Sequence, residues 1–194
     1  MGELRDTDPV MLVVAAFSRC PAVIDWAREN LHNRYGPIRL ASSVFDFTET
    51  PYYDDEMGSG LRKQFFAFER LIDATDLVEI KLATNAMEAR AAASDDVVAR
   101  ARNDELRGVV RPINLDPGYL NAGKWVLATT KDQAHRLYLG RGIFAEPTLR
   151  FEYGEYVPWP WTYPNYQRHD YREFFKQARS EYLRLLRTAA GSDR

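Results

Sequence analysis

Lys124, Thr129, Lys131, His135 and Arg136 all fall in the stretch KWVLATTKDQAHR. Lysine and arginine hold anions, and the arginine fork can grip a carboxylate or phosphate at two points. Histidine titrates near neutral pH and is the natural general acid or base. Carboxylates able to oppose or orient these groups are Asp46, Glu69, Asp116 and Glu146. Asp46, Glu69, Arg111, Asn114 and Asp116 interrupt otherwise apolar runs, VFDFTE, FAFERLI and RPINLDPGYL. A charged group on a strand must reach solvent or find a partner. One reading is a solvated sheet face of ion pairs with loop-fixing hydrogen bonds. The sharper reading is a pocket for a small anionic, phosphate- or nucleotide-like compound. In it His135, Asp116 and Glu69 are the catalytic candidates. Lys124, Lys131, Arg136, Asp46, Glu146, Thr129, Asn114 and Tyr119 are the ligand-binding candidates. A turn between strands explains the polarity of TTKDQAHRL equally well.

Several near-motifs fall short of known chemistry. GYLNAGKW matches a phosphate-binding loop at Gly118, Gly123 and Lys124, but Trp125 replaces the hydroxyl residue that must hold magnesium. WVLATT also favours a strand where that loop needs a helix N-terminus facing phosphate. TTKDQ has its lysine and aspartate adjacent, so on a strand they would leave on opposite faces. His32, His135 and His169 lie far apart without paired ligands at metal spacing, so no metal site is expected. Cys20 is the one cysteine. It excludes an internal disulfide and reads as a small, partly buried residue before a helix. The residues name no cofactor.

The elements that must position these groups follow from periodicity. MLVVAAF is a continuous apolar run, as in a strand buried on both faces. Pro21 opens a helix with the stripe Val23, Trp26, Ala27 and Leu31, and Gly36-Pro37 stops it. IRLASSVFDFTE and RKQFFAFERLI read as strands. In the latter, Phe66, Phe68 and Ile72 share one face, and Phe65, Ala67, Glu69 and Leu71 the other. TPYYDDEMGSG between them reads as a loop. Asp73 or Asp76 caps a second helix, with Glu79 in the box position after Asp76, and Leu77, Ile80, Thr84, Met87 and Ala91 as its stripe. Residues 92–108 fit either a helical extension or a mobile loop. VVRPINLDPGYL predicts a fourth strand ending in the turn Asp116-Pro117-Gly118. Strand, helix, strand, strand, helix, strand is the ferredoxin-like split βαβ order. The expected class is α+β: a ferredoxin-like βαββαβ core over 11–120, added antiparallel strands over 121–160, then an aromatic loop and a C-terminal amphipathic helix over 161–194. GRG and Gly154 mark tight turns among the added strands. TTKDQAHRL is expected to turn from one strand to the next, with Asp132 and Gln133 at its tip. Tyr171, Phe174, Phe175, Ala178, Tyr182, Leu185 and Leu186 form the buried stripe of the last helix, capped by Asp170.

The chain of 194 residues, 45% hydrophobic and 28% charged, has the composition of one ordinary soluble domain. No apolar run approaches the roughly 20 residues that span a bilayer. The start MGELRDTDP is polar, unlike a signal peptide, so the cytoplasm is the expected location and no membrane contact is expected. Residues 1–106 carry 12 basic and 19 acidic side chains, and residues 107–194 carry 14 and 9. Balances of −7 and +5 predict surface compensation between the halves, or a mildly basic face for an anion. The overall charge of −2 argues against unselective nucleic-acid binding.

FDFTETPYYDDEMG, FAFERLIDATDLVEIKLATN, RPINLDPGYL, KWVLATTKDQAHRLYLGRGIFAE and PWTYPNY, in that order, resemble the family described as domain of unknown function 4416. The resemblance runs over nearly the whole chain. It implies no reaction, cofactor or catalytic residue. Its pattern includes Asp46, Phe47, Thr48, Tyr52, Tyr53, Glu56, Met57, Gly58, Glu69, Lys81 and Asn85. It continues through Asn114, Asp116, Pro117, Gly118, Tyr119, Lys124, Thr129, Lys131, His135, Arg136 and Glu146 to Trp161, Thr162 and Tyr163. Asn165 stands where relatives tend to carry aspartate. Two alternatives to an anion site stay open. An RNA-binding sheet could stack bases on Tyr52, Tyr53, Trp159, Trp161 and Tyr163, although no RNP1 pattern is present. An interaction module could use the sheet edge or the last helix, with partners the residues do not name.

Overall fold

The protein is described by a computed structural model covering residues 2–3, 6–101 and 105–192. It is an α+β fold built on one large antiparallel sheet with a long C-terminal helix. Strand β1 (Val10–Ser18), apolar up to Phe17, is buried throughout because it lies between β4 (Arg62–Ile72) and β5 (Asn114–Leu120). The sheet continues from β4 to β2 (Ile38–Ala41) and the short β3 (Phe45–Asp46). On the other side it continues through β6 (Lys124–Thr129) and β8 (Ile143–Glu152) to β7 (Leu137–Gly140), with β9 (Glu155–Pro158) also paired to β8. The order is β2-β4-β1-β5-β6-β8-β7.

The alternation of β1 separates two cores. Leu12, Val14 and Ala16 pack with Phe66 and Phe68 against α1 (Pro21–Tyr35) and α3 (Leu77–Ala92). Met11, Val13 and Ala15 pack with Phe65 and Ala67 against α5 (His169–Ser192) on the opposite face. Cys20 precedes Pro21 at the start of α1 and is fully buried, with Sγ 3.1 Å from Glu105 Oε2. Burial raises its thiol pKa, with the Glu105 carboxylate adding to the effect. The expected α3 stripe is buried, and Lys81 is buried with it.

Four expectations need correction. The second predicted strand is split into β2 and β3 by residues 42–44. The acidic loop contains a one-turn helix, α2 (Asp54–Met57), whose Met57 packs with Phe17, Phe47 and Leu61. The capping box belongs to Asp73 rather than Asp76. Its side chain accepts from Thr75 N at 2.8 Å, and Asp76 accepts from Asp73 N at 3.2 Å, around a 3-10 turn before α3. Asp116-Pro117-Gly118 is not a turn: β5 runs straight through it, with Asp116 opposite Ala15 and Gly118 opposite Val13. The β5–β6 pairs begin at Gly118, so Pro117 stands where the ladder on that side has not started. Residues 92–108 include α4 (Asp95–Arg100), capped by Ser94, while 102–104 lie outside the described residues.

The added strands place the opening stretch unexpectedly. Arg141-Gly142 and Tyr153-Gly154 are two-residue hairpin turns with positive φ at both positions. Residues 130–136 are not a hairpin. Because β8 lies between β6 and β7 in the sheet, they cross over the end of β8. Lys131, His135 and Arg136 sit on that crossing rather than at strand ends. Among the described residues, no helix is long and apolar enough to cross a membrane.

Candidate functional site

A cleft of about 460 Å³ opens where this crossing meets the N-terminal half of the fold. Its floor comes from β4 and β5, through Lys63, Asn114 and Asp116. Helix α3 supplies Lys81 and Asn85, the 49–56 segment Glu49, Tyr52, Tyr53 and Glu56, the end of β6 Thr129, and the crossing Lys131, Gln133 and Arg136. The 163–166 segment, largely a 3-10 turn, closes the remaining side with Tyr163, Asn165 and Tyr166.

Lys63 is the unexpected feature. Alternation along β4 puts it on the same face as Phe65 and Ala67, opposite Phe17 of β1 and Phe45 of β3. The residue is 1% exposed, yet it lines the cleft. Five rings surround its Nζ, from Tyr166 at 4.6 Å to Tyr171 at 5.7 Å, with Phe47, Phe65 and Phe17 between. Among the described residues its Nζ has no hydrogen-bond or ion-pair partner. Burial pushes its pKa down to about 8, against the pull of Asp116 and Glu49. Tyr166 Oη, in another cleft residue, is also buried without a hydrogen bond among the described residues.

The neighbouring charges are braced. Lys81 Nζ donates to the Leu115 carbonyl at 3.0 Å and lies 3.4 Å from Asp116 Oδ1. Burial opposes the charge on Asp116, but Lys81, Lys63, a hydrogen bond from Asn114 and Arg111 more than offset it and hold its carboxyl below the usual range. Arg111 pairs with Glu88 at 2.8 Å, lies 3.6 Å from Glu56 and donates to Asn114 Oδ1. Glu88 also accepts from Leu115 N at 2.7 Å, and its burial raises its pKa. The backbone amides of Val110 and Arg111 both donate to the Glu56 carbonyl, which ties α2 to the approach of β5. On the rim, Lys131 Nζ donates to Tyr52 Oη at 3.0 Å and lies 4.1 Å from that ring's centre.

Arg136 forms the wall opposite. It pairs with the fully buried Glu146 at 2.7 Å, donates to the Lys131 carbonyl at 2.9 Å and to Tyr163 Oη at 3.1 Å. His135 reaches the same Glu146 at 3.2 Å and stacks on Trp161 at 5.3 Å. Trp161 stacks on Trp159 and donates from Nε1 to the Pro147 carbonyl, and Thr162 Oγ1 donates to the Thr148 carbonyl. The aromatic loop is thus fastened to β8.

Of the residues singled out from sequence, Asp116, Asn114, Thr129, Lys131 and Arg136 line the cleft together. Glu146 and His135 lie behind Arg136 and do not line it. The others lie elsewhere. Glu69 is exposed on β4, six residues or about 20 Å along the strand from Lys63. Asp46 is exposed, with its carbonyl accepting from Arg168. Lys124 is exposed opposite Arg150 at the far end of β6. Tyr119 packs beside Leu77, Ala128 and Ile143. His135, Asp116 and Glu69 therefore form no common constellation. Gly118 and Lys124 lie on adjacent strands rather than in a phosphate-cradling loop. Among the described residues, no group of three His, Cys, Asp or Glu side chains is placed to hold a metal ion.

Fold and cleft together define an α+β protein with a cleft lined by charged and aromatic side chains. Five cationic side chains, Lys63, Lys81, Arg111, Lys131 and Arg136, and three carboxylates, Glu49, Glu56 and Asp116, line it, and Glu88 and Glu146 pair with Arg111 and Arg136. The chain belongs to the family described as domain of unknown function 4416, whose model matches residues 8–182. No curated protein and no solved structure matches it.

Proposed function

We propose that the cleft binds a small organic anion, a carboxylate or phosphate ester, as an enzyme substrate or a sensed ligand. The observation that carries this reading is Lys63, a buried cation at the cleft floor that has no hydrogen-bond or ion-pair partner among the described residues, whereas Lys81, Arg111 and Arg136 each have a carboxylate. A bound anion would supply the missing counter-charge, and the low-dielectric floor would strengthen that contact. Lys81 and Arg111 are already compensated by Asp116 and Glu88, so their role is to hold the floor's geometry. Tyr52, Tyr53 and Tyr163 offer flat surfaces to the ligand's carbon frame. His135 supports Arg136 through Glu146, and the first proton-transfer candidate in the cleft becomes Asp116. The strand order β2-β4-β1-β5, with α1 and α3 on one face, supports reading the first four long strands as a ferredoxin-like core.

Thermal denaturation with inorganic phosphate, lactate, glycerol 3-phosphate and adenosine monophosphate tests the reading. A ligand present at a hundredfold its Kd stabilises the native state by about 2.7 kcal/mol. At least one of these anions should raise Tm, and the rise should be lost in Lys63→Met and weakened in Lys131→Ala. A rise that survives in both variants, or none with any anion, rejects the assignment.

A further inference from the structure

We propose that Lys63 is a covalent anchor: its amine forms an imine with the carbonyl of a small anionic aldehyde, ketone or 2-oxo acid held in the cleft. The proposal rests on the anion reading and names the class of ligand. Three observations point to it. Lys63 lines the cleft, and three of the rings around its amine, Phe17, Phe47 and Tyr166, line it too, which puts the amine beside the space a ligand would enter. No hydrogen bond or ion pair among the described residues occupies its lone pair or fixes it as a counter-ion. Its surroundings are rings, which exclude water from the carbon–nitrogen bond that would form and slow its hydrolysis. A methionine would fill this site among the rings without the cost of burying charge. At neutral pH a lysine titrating near 8 also offers about two orders of magnitude more free amine than an ordinary one.

The step balances with no oxidant or reductant. The amine nitrogen attacks the carbonyl carbon, a carbon–nitrogen bond forms, and the first of the nitrogen's two protons passes to the carbonyl oxygen, which becomes a hydroxyl. Asp116 takes the second proton from nitrogen and delivers it to the departing hydroxyl, which leaves as one water as the carbon–nitrogen double bond closes. Lys81, 3.4 Å from Asp116 Oδ1, holds that carboxylate in place during the exchange.

Borohydride trapping tests this on the full chain. Pyruvate and glyceraldehyde 3-phosphate are added with borohydride, and intact mass and peptide mapping locate any secondary amine. Calorimetric titration with the same compounds and with carbonyl-free lactate and glycerol 3-phosphate runs in parallel. The expected result is a single adduct at Lys63, of the ligand's mass less one oxygen, absent from Lys63→Met. If a carbonyl anion binds but the label falls only on exposed lysines such as Lys124 or Lys176, the imine is rejected and anion binding stands. If neither carbonyl nor carbonyl-free anions bind, both readings fall. Because the site is mapped in the native protein, poor folding of Lys63→Met would not obscure the answer.

Discussion

Burying the Lys63 amine among five rings removes it from water without giving it a hydrogen bond among the described residues, so the folded state disfavours its protonated form. The sign follows from the depressed pKa. Between about pH 8 and 10.5 the unfolded chain keeps the Lys63 proton while the native state releases it, so native stability rises with pH through that window. Below pH 8 the penalty applies in full, at about 3 kcal/mol for a shift of this size. Lys63→Met should therefore be more stable than the natural chain at pH 7 by up to about 3 kcal/mol, and this advantage should shrink towards pH 10.5. Urea unfolding at several pH values measures it. A difference independent of pH would mean the amine is not buried as described. Lys63 was in principle legible from sequence, since in RKQFFAF it alternates in phase with Phe65 and Ala67, on the buried face. Lys81 likewise falls one helical turn after Leu77. The charges near His135 in sequence form the rim and the support layer, Lys131, Arg136 and Glu146. Glu69 and Lys124 have the same residue chemistry, but their strand positions carry them to other ends of the sheet.

At the level of elements, β5 shows where local residue chemistry misleads. Asp-Pro-Gly is a strong turn signal, yet here Gly118 serves a close approach between strands. A Cβ at that position would overlap the Val126 carbonyl oxygen and the Trp125 indole. The demand for glycine arises across the sheet from β6, and only the tertiary register reveals it. The Arg141-Gly142 and Tyr153-Gly154 hairpins, by contrast, are legible because their positive φ is a purely local requirement. Gly118→Ala should cost about 3 kcal/mol, at the upper end for overpacking, by forcing β6 away from β5. It should also weaken anion binding, because β5 carries Asn114 and Asp116 and β6 leads into the crossing. Denaturant midpoints together with phosphate titration check both effects. A variant of unchanged stability would place Trp125 elsewhere.

Across the whole molecule, the charge imbalance between the halves is answered by pairs that join them: Arg168 with Glu49, Arg111 with Glu56 and Glu88, and Arg141 with Glu79. An exposed pair such as Arg141 with Glu79 contributes little stability. The stronger tie is α5. Phe175 is fully buried and meets Phe65 of β4, Trp125 of β6, Tyr156 of β9 and Tyr166 beside the cleft. One helix thus fastens the first strands to the added ones, and the cleft is lined from both sides of that joint. If α5 couples the two parts, urea should unfold them in one transition, with tryptophan fluorescence and far-ultraviolet circular dichroism coincident. Phe175→Ala should lower stability by about 3–5 kcal/mol, the usual cost of removing a buried phenylalanine side chain. Its loss should abolish anion binding wherever native population falls, rather than leave a separately folded core. Separate midpoints for the two probes would mean that the added strands fold on their own and that the cleft is a seam between independent units.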